Sequence, residues 1–292
     1  MRRFKNEQSR ALPTDRFFFF YNHFHNALAV RSDSVTDRGD INQFTLGVEK
    51  TFGDGDWSVE LRLPLAGESS LDNGFASARS DGVGNLAVTL RKLLYSDSEI
   101  ALAAGLAVTA PTGSDADLTY FSNRVTIAND AVHLVPYLAI QAAPDDHWFF
   151  HGFAQFDVAA NGDHITVTSP PISNPFVNTR RIVEQTLMYL DASVGHWWIR
   201  HTEPGTSGLT GLASVLELHY TTPLNDADLV LAGPLIVGNI DNRIDVVNLT
   251  MGLHSEWNHH TAVRFATVVP LRQSRENRFF DAEFQGTVIR RF

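Results

Sequence analysis

The stretch Asn42-Gln43-Phe44-Thr45-Leu46-Gly47-Val48-Glu49-Lys50-Thr51-Phe52, the link Gly53-Asp54-Gly55-Asp56 and the return Trp57-Ser58-Val59-Glu60-Leu61-Arg62-Leu63-Pro64-Leu65 decide the fold. Phe44, Leu46, Val48 and Phe52 fall on one side of a two-residue period, and Gln43, Thr45, Gly47, Glu49 and Thr51 on the other. Successive strand side chains point to opposite faces, so this is a strand with one apolar face and one small or polar face. Gly-Asp-Gly-Asp is hairpin-turn chemistry. After it Trp57, Val59, Leu61, Leu63 and Leu65 alternate with Ser58, Glu60 and Arg62. Segments of eleven and nine residues match the ~9–11 that a tilted strand needs to cross a bilayer.

The unit repeats. Leu86 to Arg91 pairs with Ile100 to Thr109, about Val132 to Ala142 with Trp148 to Val158, about Gln185 to Trp198 with Leu212 to Tyr220, and Val246 to His254 with Thr261 to Leu271. Single strands at about Arg16 to Leu28 and Arg278 to Phe292 bring the expected total to twelve. Links within hairpins are short except at about 199–211. Those between hairpins, at roughly 66–83, 112–130, 159–180 and 222–243, are long, except at about 272–277. An outer-membrane barrel sorts its connections this way, with short periplasmic turns and long outer loops. Trp57, Trp148, Trp197, Trp198 and Trp257 all lie near expected short turns, where indole suits the lipid–water boundary. Pro64, Pro111, Pro223 and Pro270 stand at expected outer strand ends, since proline cannot donate to a ladder.

The expected fold is therefore all-β: a single antiparallel up-and-down transmembrane barrel over residues 15–292, preceded by an extension at 1–14. The expected lipid face is Phe44, Leu46, Val48, Val59, Leu61, Leu63, Leu102, Leu106, Leu216, Leu218, Val263 and Phe265. Composition agrees. Of 292 residues 43% are hydrophobic and 19% charged, too apolar for a disordered chain. No run approaches the ~20 apolar residues of a membrane helix. The formal charge of −10 argues against nucleic acid as a partner. With no cysteine there is no disulfide and no thiolate site. The basic start Met1-Arg2-Arg3 runs into polar residues, so an exported form is expected to have had its signal peptide removed or never included.

Several short motifs occur in an order that resembles the outer-membrane proteins of the MetA-pathway of phenol degradation family, in particular its planctomycete-like members. They are Arg16 to Tyr21 with Asn22 and His23, Ala110-Pro111-Thr112-Gly113, Leu190-Asp191-Ala192-Ser193-Val194-Gly195, Leu216-Glu217-Leu218-His219-Tyr220, Asn248-Leu249-Thr250-Met251-Gly252-Leu253-His254 and Phe279-Phe280-Asp281. The C-terminal Phe292, with Val288 and Phe284 on the same face, resembles the aromatic last-strand signal of outer-membrane proteins; Arg290 departs from it. The resemblance covers about residues 15 to 292. It implies a channel or transporter-like barrel in the bacterial outer membrane, linked to aromatic compounds, with no catalytic residues and no cofactor.

The face opposite the lipid-facing one collects Glu49, Glu60, Arg62, Arg91, Gln155, Asp157, Asp191, Glu217, His219, Asn248, Arg264, Asp281, Glu283 and Gln285. Of these Glu49, Glu60, Arg62, Arg91, Asp157, Glu217, His219, Arg264, Asp281 and Glu283 are the expected lumen lining. Mixed charges on an inner wall either lock together as salt bridges or set the selectivity of a pore, and twelve strands lie between filled and open barrels. Passive passage of small solutes is the expected function, with outer-membrane lipid as partner. A barrel enzyme acting on lipid and a closed structural barrel are the alternatives. His23 and His25 share a strand face that could offer two imidazoles to a metal, but no third ligand stands nearby in sequence, so no metal is expected. His254 and Ser255 are adjacent and face opposite sides. The apolar link Leu229 to Gly238 either extends the strands beyond the membrane or folds inward over the lumen. The long loops carry Glu68, Asp72 and Asp81 against Arg79, Asp115, Asp117 and Asp130 against Arg124, and Asp226, Asp228 and Asp241 against Arg243. With the acidic excess expected inside, a modest cation preference follows.

Overall fold

The computed structural model describes residues 11–31, 36–72, 76–170, 176–203, 205–239, 242–272 and 278–292, with backbone only at 28–31, 36–37, 68–72 and 76–81. Its strands are β1 (Arg16–Arg31), β2 (Thr36–Phe52), β3 (Trp57–Asp72), β4 (Ala76–Val83), β5 (Ala87–Ser96), β6 (Ile100–Thr109), β7 (Ala116–Tyr120), β8 (Asn123–Ile127), β9 (His133–Ala142) and β10 (Trp148–Ala159). They continue with β11 (Asp163–Ser169), β12 (Phe176–Ile182), β13 (Leu187–Arg200), β14 (Leu209–Pro223), β15 (Leu229–Ala232), β16 (Leu235–Gly238), β17 (Val246–Trp257), β18 (Thr261–Pro270) and β19 (Ala282–Arg291).

Twelve of these close an antiparallel barrel in the order β1-β2-β3-β5-β6-β9-β10-β13-β14-β17-β18-β19. The seam pairs β19 with β1 from Arg16↔Arg291 to His25↔Ala282. Closure leaves no unpaired edge, which is what allows a sheet to cross lipid. Outward-facing Phe17, Leu46, Leu61, Leu106, Leu138, Leu216, Leu253 and Phe265 are between 41% and 67% exposed, an apolar belt that only lipid would cover well. The expected lipid-face residues share this side: Val59 and Leu218 are exposed, and Phe44, Val48, Leu63, Leu102 and Val263 half-buried.

Inside, the small residues of the alternation have a packing role. Phe18, Tyr137 and Phe149 point inward, directly opposite Gly47, Gly105 and Gly195 of the neighbouring strands. A Cβ on those glycines would fall 2.0, 2.3 and 1.8 Å from the facing ring atoms. Each glycine is therefore the floor on which a lumenal ring lies.

Several expectations are corrected. β1 runs past the expected end at Leu28 to Arg31, and β2 begins at Thr36, ahead of the expected start at Asn42. β3 continues past Pro64 to Asp72. Pro64 stands where β3 changes partner, from β5 (last pair Arg62↔Ala87) to β4 (first pair Leu65↔Val83), so the missing N–H falls at a break in the ladder. The other long links are not plain loops. β4, β7, β8, β11 and β12 pair in succession and extend the β3 side of the wall beyond the barrel. Trp148, Trp198 and Trp257 are exposed outside, but Trp197 is 4% exposed inside, packed on Phe149 and His254.

The apolar link forms its own hairpin, β15–β16. Val230, Ala232, Leu235 and Val237 pack on Leu118, Val125, Ile127, Ile165, Val167 and Ile182 of the extension. Ile165 and Val167 share the buried face of β11 with Asp163, whose Oδ1 accepts from the N–H groups of Asp130 and Ala131, just ahead of His133. His133 pairs with Asp157 of the inner wall, so the hairpin covers the lumen side of the extension.

Candidate functional site in the barrel lumen

Short turns fix one end of the barrel. The Asp97 carboxylate accepts from the N–H groups of Glu99 and Ile100, and that of Asp145 from those of His147 and Trp148. These Asx-type turns hold both carboxyls below their ordinary range, chiefly through the Glu99 and Trp148 N–H groups. Residues 11–14 enter the lumen from this end. Ala11 is buried against Ala101, Tyr137 and Ala139, Leu12 packs on two of the inner apolar clusters, and the Thr14 N–H donates to Glu49 at 3.3 Å.

The wall of β1, β2, β3 and β5 carries a buried ion cluster. Glu49 accepts from Arg16 Nε at 2.7 Å, from Ser58 Oγ at 2.7 Å and from Arg91. Glu60 meets Arg16 at 3.1 Å, Arg91 at 3.5 Å and Arg62. Arg91 Nε also donates to Tyr137 Oη at 2.8 Å. Two carboxylates facing three guanidiniums leave each buried charge with partners, without which its desolvation would be unaffordable.

The facing wall of β13, β14, β17 and β18 is built differently. Glu217 accepts from Arg264 Nη1 at 3.0 Å, lies 2.8 Å from Arg264 Nη2 in the same ion pair and 3.5 Å from His219. His219 Nδ1 is 2.8 Å from Asp191, and its Nε2 3.0 Å from Thr250 Oγ1. These groups keep contact with open space: the side chains of His219 and Asp191 are 31% and 26% exposed. Acid, imidazole and hydroxyl stand in the order of a nucleophilic triad, but Thr250 is fully buried.

Between the walls lies a cavity of about 290 Å³, lined by Ala11, Arg16, Phe20, Asn22, Arg62, His151, Phe153, Asp191, Ser193, Glu217, His219, His254, Arg264, Gln285 and Thr287 among others. The expected lining residues thus divide. Arg62, Glu217, His219 and Arg264 reach the cavity, while Glu49, Glu60 and Arg91 sit packed behind it. Glu283 is buried and accepts from Asn22 and Gln285. Asp157 is held by His133 at 2.7 Å. Asp281 precedes β19 at the long-loop rim, tied to Arg38 at 2.8 Å and Arg278 at 2.9 Å. The acidic excess expected inside therefore does not reach the cavity wall, where Arg16, Arg62 and Arg264 face Asp191 and Glu217.

Between the barrel strands, Asp117 pairs with Arg124, Asp130 with His164, and Asp115, Asp226 and Asp228 accept hydrogen bonds from Asn129, Asn242 and Val183. The side chains of Glu68, Asp72, Arg79 and Asp81, and residue Asp241, lie outside the described residues. Sequence reasoning missed Arg16 and Tyr137 as partners of the ion cluster, although both stand on strands of even alternation. It also missed that strand pairing brings Asp40 of β2 to His23 and His25.

No protein-family model and no curated protein matches the chain. Among solved structures it is similar to the COG4313 outer membrane channel from Pseudomonas putida F1, at 12% identity and a TM-score of 0.59, covering 98% of this chain and 99% of that one. It is also similar to the translocator domain of the autotransporter NalP from Neisseria meningitidis, at 10% identity and a TM-score of 0.58, covering 96% and 88%. A third is the CymD monoaromatic hydrocarbon channel, at 9% identity and a TM-score of 0.52, covering 96% and 89%. At these identities the shared property is the fold, a membrane-spanning antiparallel barrel.

Proposed function

We propose that this chain is a passive channel of a bacterial outer membrane for small solutes, with its short turns in the periplasm and its long loops outside. The observation that carries this reading is the lumenal cavity of about 290 Å³ between two charged walls. Residues 11–14 border it from one side, and the β15–β16 hairpin lies over the lumen side of the extension at the other end. A narrow, partly apolar path of this kind favours small aromatic or apolar compounds. That substrate class agrees with the motif resemblance to the MetA-pathway of phenol degradation family and with the similarity to the CymD monoaromatic hydrocarbon channel.

Planar-bilayer recording of the purified protein tests the proposal. Discrete conductance steps are the expected result. A silent bilayer with hydrolysis of the surrounding lipid would replace the channel with a barrel enzyme, and a silent bilayer without hydrolysis with a closed structural barrel.

A further inference from the structure

We propose that His23, His25 and Asp40 form a binding site for a divalent transition cation of the zinc type, on the outward face of the barrel at the long-loop rim. β1 and β2 pair regularly as far as Phe24↔Ile41, and the next pair is Leu28↔Gly39, so His25, Asn26 and Ala27 stand opposite Asp40 alone. Bulges of this kind re-aim side chains. Asn26 takes a left-handed φ of 56°, and its N–H donates to Asp40 Oδ1 at 2.8 Å, curling β1 around the carboxylate. His25 Nδ1 then lies 3.0 Å from Asp40 Oδ1 and His23 Nε2 3.5 Å from Oδ2. One ligand atom from each of the three residues falls within 4.8 Å of the others. Ligands at ~2.1 Å from a tetrahedral zinc stand about 3.4 Å apart, so small side-chain rotations complete the set.

An independent observation fixes which atom of His23 faces the site. Asn42, opposite His23 in register, accepts at Oδ1 from the Tyr21 hydroxyl at 2.8 Å and lies 2.9 Å from His23 Nδ1. A carbonyl oxygen accepts, so His23 donates to it from Nδ1 and Nε2 is the atom that faces the Asp40 carboxylate. Either a proton on the imidazole or a cation between the two groups satisfies that contact, and an outer hydrogen bond on the far nitrogen is what metal-bound imidazoles carry. Two imidazoles with one carboxylate select zinc, nickel or copper over magnesium or calcium.

Below the site, Tyr21 stacks on Phe44 and His23 on Phe284, which puts the cation just beyond the aromatic belt. The three side chains are 27%, 50% and 40% exposed, leaving coordination positions for water. The neighbouring Asp281 is tied to Asn26 and Arg38. A bound cation would pin β1 to β2 beside the closing seam with β19.

The test uses the full chain in detergent, with Zn²⁺ and Co²⁺ as probes. One equivalent of Zn²⁺ at micromolar affinity is expected, and Co²⁺ should give visible bands of a four- or five-coordinate ion. His25→Gln and Asp40→Asn should each lose at least ten-fold in affinity, and Asn42→Leu about 10–100-fold, while all three keep the heat-modifiable gel mobility of a folded barrel. His147→Gln, and His259→Gln with His260→Gln, should bind as the parent does. The proposal is overturned if the parent takes up no Zn²⁺ at micromolar concentration, if His25→Gln and Asp40→Asn bind unchanged, or if uptake follows the turn histidines.

Discussion

The two charged walls of the lumen arise from the same alternation of apolar and polar residues and end in different states. On the β1–β2–β3–β5 wall, Glu49, Glu60 and Arg91 are no more than 2% exposed and are satisfied by one another and by Arg16, which alone of the four reaches the cavity. On the β13–β14–β17–β18 wall, Glu217, His219 and Asp191 pair as well but border the cavity. The difference lies in what packs above them. Phe18 and Tyr137 lie over Gly47 and Gly105 beside the first cluster, and Thr14 closes over Glu49; the second wall faces open space. An inward charge is thus a structural strut or a lining group according to its neighbours across the lumen.

The largest effect is expected on the locked wall. Glu49→Ala leaves Arg16 and Arg91 buried without their principal partner and should cost about 3–5 kcal/mol, read as a lower denaturant midpoint of the folded barrel. Glu217→Ala should cost less, because water from the cavity can solvate Arg264; equal losses would erase the distinction between the walls.

Next in size is charge on the lipid side. Leu61→Arg should cost roughly 2–4 kcal/mol and lower the yield of assembled barrel, while Gln285→Arg, facing the cavity, should assemble. Ser58→Arg, although it also faces inward, should not assemble, since Ser58 is fully buried against Glu49 and an arginine there would overpack the cluster. A smaller effect is expected at the mouth. Ala232→Asp buries a carboxylate in the apolar seat of the β15–β16 hairpin and should release it, giving protease cleavage within 229–238 and a higher conductance.

The smallest effect concerns selectivity. Glu217→Gln should move the reversal potential slightly toward anions, and the shift should fade near 1 M salt as the Debye length falls to ~3 Å. Glu60→Gln, behind Arg16 and Arg62, should leave that potential where it was. A shift of the same size from both variants would place both carboxylates on the ion path.

Most of the barrel was legible in the sequence because burial in lipid on one side and a polar interior on the other both act through a period of two. Leu46, Leu61, Leu216 and Phe265 announced the outer face by that period alone. Long-range pairing was not legible. Nothing local to Glu49 says that Arg16 and Arg91, 33 and 42 residues away, will neutralise it. Trp197 was misread because nearness to a turn does not fix parity, and Trp197 and Trp198 necessarily point to opposite sides. The outer extension escaped notice because β7 and β8, with five residues each, are too short to establish a period. Asp40 was missed because the bulge that brings it to His25 is a property of two paired strands.

The absence of native cysteine allows a direct test of whether the cavity is the conducting path. Gln285→Cys places a single thiol on the cavity wall, and Ser58→Cys a thiol inside the locked cluster. Each is recorded in planar bilayers before and after a charged, water-soluble methanethiosulfonate. The account predicts that the reagent lowers the single-channel current of Gln285→Cys and leaves that of Ser58→Cys unchanged. A Gln285→Cys channel that is labelled yet conducts as before would contradict it.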